Sequence, residues 1–182
     1  MTLTALVIAA LFLWGVWIFN RLVKDRNQVR SAWSDIDVQL TRRHDLVPQL
    51  VEAVKAYAGY ERSTLEAVTA LRTRSDQAAR LAEKAELETQ LQAGIEKLIA
   101  VAEAYPDLKA DENFLTLQRQ LTEVEDHLQY ARRFYNGAVR IYNTRIETFP
   151  HLLVAGPFGF RPSEFFAVPG EDVRNAPRVE VG

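Results

Sequence analysis

The side chains best suited to chemistry in this sequence are three histidines, and their spacing decides whether they fit a metal site. A di-iron site in a helical bundle needs two Glu-x-x-His pairs and two further inward-facing glutamates. His127 instead has Glu123 four residues before it, and His44 and His151 are isolated. We therefore interpret all three as ordinary histidines and expect no metal site.

A second candidate is a group of carboxylates around a predicted helix start. Asp107, Asp111 and Glu112 follow Glu103, and carboxylate oxygens are the ligands that a hard cation prefers. Their spacing does not match an EF-hand loop, however. Carboxylates are also common at helix N-termini, where they cap free N–H groups and complement the helix dipole. We favour this structural role, with Asp111 as the N-cap of the last long helix.

Composition removes further classes of function. The 182 residues include no cysteine, which excludes disulfides, thiolate metal sites and a cysteine nucleophile. With 22 Lys and Arg against 24 Asp and Glu, the net charge is −2, so the basic surface that binds nucleic acid is not predicted. Gly156-Pro157-Phe158-Gly159 has too few glycines for a phosphate-binding loop, and no nucleophile elbow is present. We expect no catalytic residue, no cofactor and no enzymatic activity.

The element that organises the chain is an uncharged apolar run from Leu3 to Phe19. As a helix it is about 25 Å long, close to the roughly 30 Å hydrocarbon core of a bilayer. It is apolar on every face, unlike a core helix, and no small-x-small cleavage site of a signal peptide follows it. We predict a transmembrane anchor, whose defining side chains are Leu3, Leu6, Leu11, Trp14, Trp17 and Phe19.

Three basic residues directly after the anchor predict its orientation. Arg21, Lys24 and Arg26 lie on its C-terminal side, where their long side chains can reach the headgroup level. Cytoplasmic flanks of membrane helices carry an excess of Lys and Arg. We therefore predict that the N-terminus lies outside and the body lies in the cytoplasm.

The anchor is predicted to continue as a bundle helix, because no Gly or Pro separates it from the following segment. Steps of four and three residues from Leu22 to Tyr57 meet apolar residues at all but two positions, Arg26 and Arg43, which is the heptad pattern of packed helices. The two arginines either lie at the rim of the core or pair with Asp or Glu across the bundle or a subunit contact. Pro48 removes one helical hydrogen bond, which predicts a kink one turn before it.

Two more helical segments complete the predicted body. Gly59 predicts the end of the first helix, and the segments Ser63–Tyr105 and Asp111–Phe149 continue the helical pattern. In the last segment, steps of four and three residues from Phe114 to Tyr142 meet only apolar or aromatic residues, which predicts a buried heptad face. The apolar pattern thins between Arg74 and Glu88, so the middle segment is either continuous or broken near Ala82. The fold class is therefore all-α: a transmembrane helix that continues into an elongated antiparallel bundle of three or four long helices.

An apolar block follows the last helix. It is too short to span a bilayer and too apolar for a solvated tail. It either folds back to close one end of the bundle or forms a docking surface for another copy, a partner or a membrane. The residues of this C-terminal apolar block are Phe149, Leu152, Leu153, Phe158, Phe160, Phe165 and Phe166.

Four motifs lie in order along the chain at characteristic spacings. They are AWSDIDVQLTRRHDLVP from Ala32 to Pro48, AYPDLKADENF from Ala104 to Phe114, ARRFYN from Ala131 to Asn136, and Phe149-Pro150 with Phe158-Gly159-Phe160. Together they resemble the bacterial LemA family over nearly the whole chain. His44 and Gly137 depart from that pattern, in which an aromatic and an acidic residue are usual.

The resemblance implies a single-pass protein of the bacterial inner membrane with a cytoplasmic helical body. Some family members take part in building intracellular membrane organelles, and the family has no established catalytic residues to carry over. We predict a non-enzymatic scaffold that self-assembles into a homo-oligomer on the lipid bilayer. The alternative is an adaptor or regulator that presents its bundle to another membrane protein, such as a protease or signalling enzyme. The predicted domains are residues 1–20 as the anchor, 21–168 as the bundle with the apolar block, and 169–182 as a flexible tail.

Overall fold

The computed structural model describes residues 2–58 and 62–166, and most of these residues are helical. No residue in the described ranges lies in a β-strand, and a long apolar N-terminal helix continues into a bundle, which confirms the predicted fold class. The turn predicted at Gly59 and the tail predicted at residues 169–182 lie outside the described part. The helices are α1 (Thr2–Tyr57), α2 (Arg62–Gln77), α3 (Leu81–Ala102), α4 (Pro106–Lys109), α5 (Glu112–Glu147) and α6 (Leu152–Ala155).

The first helix is continuous from the anchor through Pro48. A proline has no N–H to donate, so the carbonyl oxygen of His44 loses its partner within the helix. Arg72 of α2 replaces that partner, because its Nε donates to this oxygen at 2.8 Å. A side chain from a neighbouring helix therefore satisfies the acceptor that the proline leaves free.

The middle segment is broken, so the chain adopts the four-helix alternative. α2 ends at Gln77, residues 78–80 are not helical, and α3 begins at Leu81. The two helices pack against each other. Gly94 lies at a close approach between them, since a Cβ atom there would be 2.8 Å from Cγ2 of Val68. The Ala-rich stretch around the break has little to bury, so interrupting it sacrifices few apolar contacts while both halves gain a shared core.

The chain forms two compact units, each of which uses part of α1 and part of α5. Unit 1 contains Met1–Asp37 and Tyr130–Phe165, and unit 2 contains Val38–Gln129 together with the described residue Phe166. In unit 2, α2, α3 and α4 join the adjoining parts of α1 and α5 around one apolar core. That core consists of Leu46, Val47, Leu50, Val54, Ala58, Leu65, Val68, Leu91, Ile95, Leu98, Ala102, Leu108, Phe114, Leu117, Leu121 and Val124.

The last long helix confirms both predictions made for it. Oδ1 of Asp111 accepts a hydrogen bond from the backbone N–H of Phe114 at 2.9 Å, which is the predicted N-cap. Every predicted heptad position on this helix is buried, because residues at this spacing lie on one face. These positions are Phe114, Leu117, Leu121, Val124, Leu128, Ala131, Tyr135, Ala138 and Tyr142.

Unit 1 combines the first part of α1, the second part of α5 and the residues that follow α5. The rings of Trp33 and Tyr135 meet edge to face, with their centroids 5.6 Å apart. The buried apolar residues of this unit are Ile18, Leu22, Val29, Ala32, Ile36, Ala131, Tyr135, Ala138, Val139, Tyr142, Ile146, Ala155 and Phe160.

Candidate functional site

The predicted anchor is uncovered along most of its length. α1 is the one helix in the described ranges that is long and apolar enough to cross a membrane, and only 6% of its most apolar window is buried. Leu3 is 75% exposed and Trp17 is 60% exposed, and Leu6, Leu11 and Trp14 are exposed as well. The core helix of a soluble protein would be covered instead. The exposure therefore supports a membrane protein.

The protein begins to cover α1 at the end of the anchor. Ile18 and Leu22 are completely buried, and Phe19 is half-buried. The other residues of unit 1 thus pack against one face of the helix at the level where the apolar run ends. Side chains before this level are free to contact lipid.

The three basic residues after the anchor differ in their surroundings. Arg21 and Lys24 are exposed, and Arg21 lies 3.9 Å from the carboxylate of Asp25. Arg26 is half-buried, and its guanidinium carbon lies 5.0 Å from the centre of the Phe160 ring. This cation–π contact explains how an arginine occupies an apolar heptad position. Arg26 therefore contributes to packing as well as to the charge of the membrane-proximal flank.

The C-terminal apolar block is partly buried and partly exposed, and the use of its exposed part as a docking surface stays a prediction. Phe160 and Phe166 are buried. The side chains that remain exposed are Phe149, Leu152, Leu153, Phe158 and Phe165.

Ring contacts join this block to the end of the anchor. The centroid of the Phe19 ring lies 5.1 Å from that of Phe158 and 5.6 Å from that of Phe160, and both pairs meet edge to face. The rings of Trp17 and His151 lie 6.5 Å apart. The residues after α5 therefore lie beside the last turn of the predicted anchor.

Side chains of α5 hold the segment that follows Phe160. The amide of Asn143 pairs with the backbone of Ser163, donating to its carbonyl oxygen and accepting from its N–H, each at 2.9 Å. The hydroxyl of Tyr135 donates to the carbonyl oxygen of Glu164 at 2.8 Å. The sequence did not predict these hydrogen bonds, because a single asparagine on a helix carries no signal for a partner 20 residues away.

Unit 2 contains a buried ionic cluster, in which charged side chains of different helices pair with one another. Arg43 is buried on α1 and donates to the carboxylate of Glu88 on α3 at 3.1 Å, and it also pairs with Glu125 on α5. Of the two roles considered for this arginine, pairing across the bundle is therefore confirmed. Buried pairs of this kind select one register of helices, because any other register leaves a charge without its partner.

His44 belongs to the same cluster, so describing it as isolated was wrong. Its Nδ1 lies 2.9 Å from Asp76 and its Nε2 lies 2.7 Å from Glu88. Glu88 also accepts a hydrogen bond from the hydroxyl of Ser75. The residues of each contacting pair are between 13 and 44 positions apart in sequence, which is why spacing along the chain did not reveal the cluster.

The cluster favours the charged forms of its members. Burial by itself lowers the pKa of His44, but the hydrogen bonds and charges of Glu88 and Asp76 outweigh it and raise that pKa above 6.5. Burial by itself raises the pKa of Glu88, but His44, Ser75 and Arg43 lower it below 4.5. Both ring nitrogens of His44 face carboxylates, so the imidazolium, with two donors, fits this site best.

The ionic cluster is poorly placed to bind or react with a substrate, because its side chains are buried and already paired. Ser75 is fully buried and the side chains of His44 and Glu88 are nearly so, and each polar atom contacts a neighbour in the cluster. A substrate would have to displace these contacts. Within residues 2–58 and 62–166, no group of three or more His, Cys, Asp or Glu residues has the arrangement of a metal site. The cluster is therefore best suited to holding α1, α2, α3 and α5 in register.

Comparison with known proteins extends these observations. The model of the LemA family matches residues 32–181. The chain belongs to the LemA family. The family match covers the ionic cluster and the C-terminal apolar block, whereas the anchor residues precede it.

Curated relatives of this LemA-family chain are found in three bacterial species. Protein LemA of Metamycoplasma hominis is 28% identical over 131 residues, which cover 71% of the chain and 60% of that relative. Magnetosome protein MamQ 2 of Paramagnetospirillum magneticum is 24% identical over 192 residues, covering 91% of the chain and 71% of that relative. Magnetosome protein MamQ of Magnetospirillum gryphiswaldense is 23% identical over 174 residues, covering 81% and 64% respectively.

Proposed function

We propose that this LemA-family protein is a non-enzymatic, membrane-anchored helical scaffold that self-assembles into a homo-oligomer. Its anchor corresponds to residues 1–20, in the bacterial inner membrane, and its bundle to residues 21–168, in the cytoplasm. The observation that carries the proposal is an apolar stripe on α5 that this chain leaves exposed.

The stripe follows helical periodicity on the surface of unit 1. Tyr130, Phe134 and Ile141 are 68%, 45% and 57% exposed. With Gly137 between them they are spaced by four, three and four residues, so they lie on one face of the helix. This face differs from the buried heptad face of the same helix. Exposed apolar side chains that cluster in this way mark a surface for association.

Gly137 makes the stripe suitable for a second helix. A Cβ atom at this position would meet nothing within 4 Å, so the glycine is not required by packing inside the chain. A residue without a side chain on an apolar helix face lets the backbone of a facing helix approach closely. The departure from the acidic residue usual in the family thus removes a charge from the centre of the stripe.

A second copy is the occupant we favour, because the anchor confines copies to the same plane and raises their effective concentration. Identical copies can cover an apolar patch by closed symmetry, each burying the same surface of the other. The relatives named as magnetosome proteins support a role in membrane organisation for such an assembly.

Oligomeric state tests the proposal directly. The full chain in mild detergent should run as a homo-oligomer at micromolar concentration, and the double variant Phe134→Ser, Ile141→Ser should run as a monomer. Val38→Ser is the matched control, since it removes an equally exposed apolar side chain from unit 2 and should leave the oligomer intact. A wild-type chain that is strictly monomeric would remove the scaffold proposal. Cross-links in cells to one dominant foreign membrane protein, with few self-links, would favour the adaptor alternative.

Orientation is tested with single cysteines, because the chain has none of its own. A membrane-impermeant thiol reagent should label Thr2→Cys on intact cells and should label Ser63→Cys only after lysis. The reverse pattern would place the bundle outside.

A further inference from the structure

We propose that the exposed face of the C-terminal apolar block, formed by Phe149, Leu152, Leu153 and Phe158, inserts into the lipid interface beside the anchor. The protein would then contact the bilayer twice, through the spanning helix and through this second, non-spanning surface. The inference goes beyond self-assembly, since a lipid contact of this kind does not depend on the number of copies.

Position along α1 is the first argument. The ring of Phe158 lies against Phe19, the last residue of the anchor, and His151 lies beside Trp17. Since the anchor leaves the hydrocarbon at this level, a side chain that touches Phe19 is at the membrane boundary. Phe158 is nonetheless 64% exposed, so its free surface faces outward at the same depth.

The length of the uncovered helix is the second argument. The part of α1 that the protein leaves free runs from Leu3 to Trp17, about 22 Å as a helix, against a hydrocarbon core of roughly 30 Å. At Ile18 and Leu22 one face of α1 is already covered by unit 1. For the protein to be apolar across the full thickness of the hydrocarbon core, its surface at this level must itself be apolar and must lie in lipid. The exposed face of the block provides apolar side chains there.

The chemistry of the block and its border is the third argument. Aromatic and aliphatic side chains on a short helical turn resemble the apolar face of interfacial helices, which sink about 5–10 Å into the headgroup region. Arg140 on α5 precedes this exposed face in the sequence and Arg161 follows it, and both are exposed; Arg21 and Lys24 are exposed after the anchor. Exposed basic residues on both sides of an apolar segment complement anionic headgroups. A water-soluble partner would not require this arrangement at the end of a membrane helix.

Depth measurement by electron paramagnetic resonance tests the proposal on the full chain. Leu153→Cys and Phe158→Cys are each spin-labelled in vesicles of phosphatidylethanolamine and phosphatidylglycerol, with no background cysteine to remove. Relaxation by oxygen, which concentrates in lipid, is compared with relaxation by a water-soluble nickel chelate. Thr116→Cys is the control, since Thr116 is exposed on α5 in unit 2.

We expect the two block labels to relax strongly with oxygen and weakly with the nickel chelate, and the Thr116→Cys label to show the opposite. Free access of the nickel chelate to both block labels would overturn the proposal, because the block would then face water. Protection of both block labels from oxygen and from the nickel chelate would also overturn the proposal. Dipolar broadening of their spectra that disappears on dilution with unlabelled chain would assign the surface to a second copy instead of lipid. A monomeric chain with lipid-embedded labels would refute self-assembly alone, so the two proposals fail separately.

Discussion

Replacing Glu88 by glutamine is the sharpest test of the buried ionic cluster. Glu88 accepts hydrogen bonds from Arg43 at 3.1 Å, from His44 at 2.7 Å and from Ser75. A hydrogen bond to a charged group contributes about 1.5–3 kcal/mol, and removing one partner of a buried pair costs about 3–5 kcal/mol. The glutamine retains one acceptor oxygen and nearly the same volume. We therefore expect the free energy of unfolding to fall by about 3 kcal/mol, at the lower end of that range.

The pH dependence makes the prediction specific to charge. Since the pKa of His44 is raised above 6.5 in the fold, its stabilising contribution is complete below pH 6.5 and is lost as pH rises through the folded value. Since the pKa of Glu88 is lowered below 4.5, its contribution is complete above pH 4.5 and is lost as pH falls through the folded value. These two groups therefore stabilise the wild type most between pH 4.5 and 6.5. Above that window the stability should fall by up to about 1.4 kcal/mol per pH unit, and Glu88→Gln should flatten this decline.

The assay is guanidinium unfolding in mild detergent, followed by far-ultraviolet circular dichroism across this pH range. Hydrogen exchange of α3 amides reports on unit 2 in the same samples. Glu86→Gln is the matched control, because this exposed glutamate lies on the same helix and its loss should change stability by less than about 0.5 kcal/mol. If Glu88→Gln matched that control in both stability and pH profile, the cluster would not hold the bundle in the way described.

Two further substitutions, Gly94→Ala and Arg72→Ala, test the packing of α2 on its neighbours, and each is compared with a second variant. Gly94→Ala should destabilise the protein by about 1–3 kcal/mol although alanine favours helices, because its Cβ would lie 2.8 Å from Val68. Gly137→Ala is the comparison variant, because the Cβ there meets open space. It should raise the free energy of unfolding of the monomer by about 0.5–1 kcal/mol. Thermal unfolding measures both, and equal effects would refute the close approach. Arg72→Ala should cost about 1–3 kcal/mol, because the carbonyl oxygen four residues before Pro48 loses its donor. The same change should cost less in a Pro48→Ala background, where a backbone N–H can take over, and a double-mutant cycle without coupling would contradict this.

Local pattern was sufficient for the elements whose signal lies within a few neighbouring residues. The buried face of α5 followed from the four–three spacing of its apolar residues, and the cap at Asp111 followed from its residue type and position. The exposure of Leu3 to Trp17 likewise agrees with a run that is apolar on all faces. Such features depend on side-chain chemistry and helix periodicity, which are the same wherever the helix is placed.

The break in the middle of the chain and the packing of the apolar block after α5 could be predicted only by comparing alternative packing arrangements. Around residues 78–80, helix propensity favours continuity, whereas the pairing of α2 with α3 favours a break; sequence could not weigh the two. In the apolar block, Phe160 is buried and Phe158 is exposed, although both rings contact Phe19. Their different surroundings depend on the turn at Gly159, which has a positive φ of 70°.

The sequence by itself determined the all-α fold class, the long apolar N-terminal helix, the buried face of α5 and the family to which the chain belongs. Only the tertiary structure brought His44 together with Asp76 and Glu88, and the apolar block against the end of the anchor. The physical reason is the separation along the sequence of the residues that interact. Periodicity and capping are interactions between residues one or two turns apart, whereas a buried charge finds its partner only after separate helices have packed and water has been excluded between them.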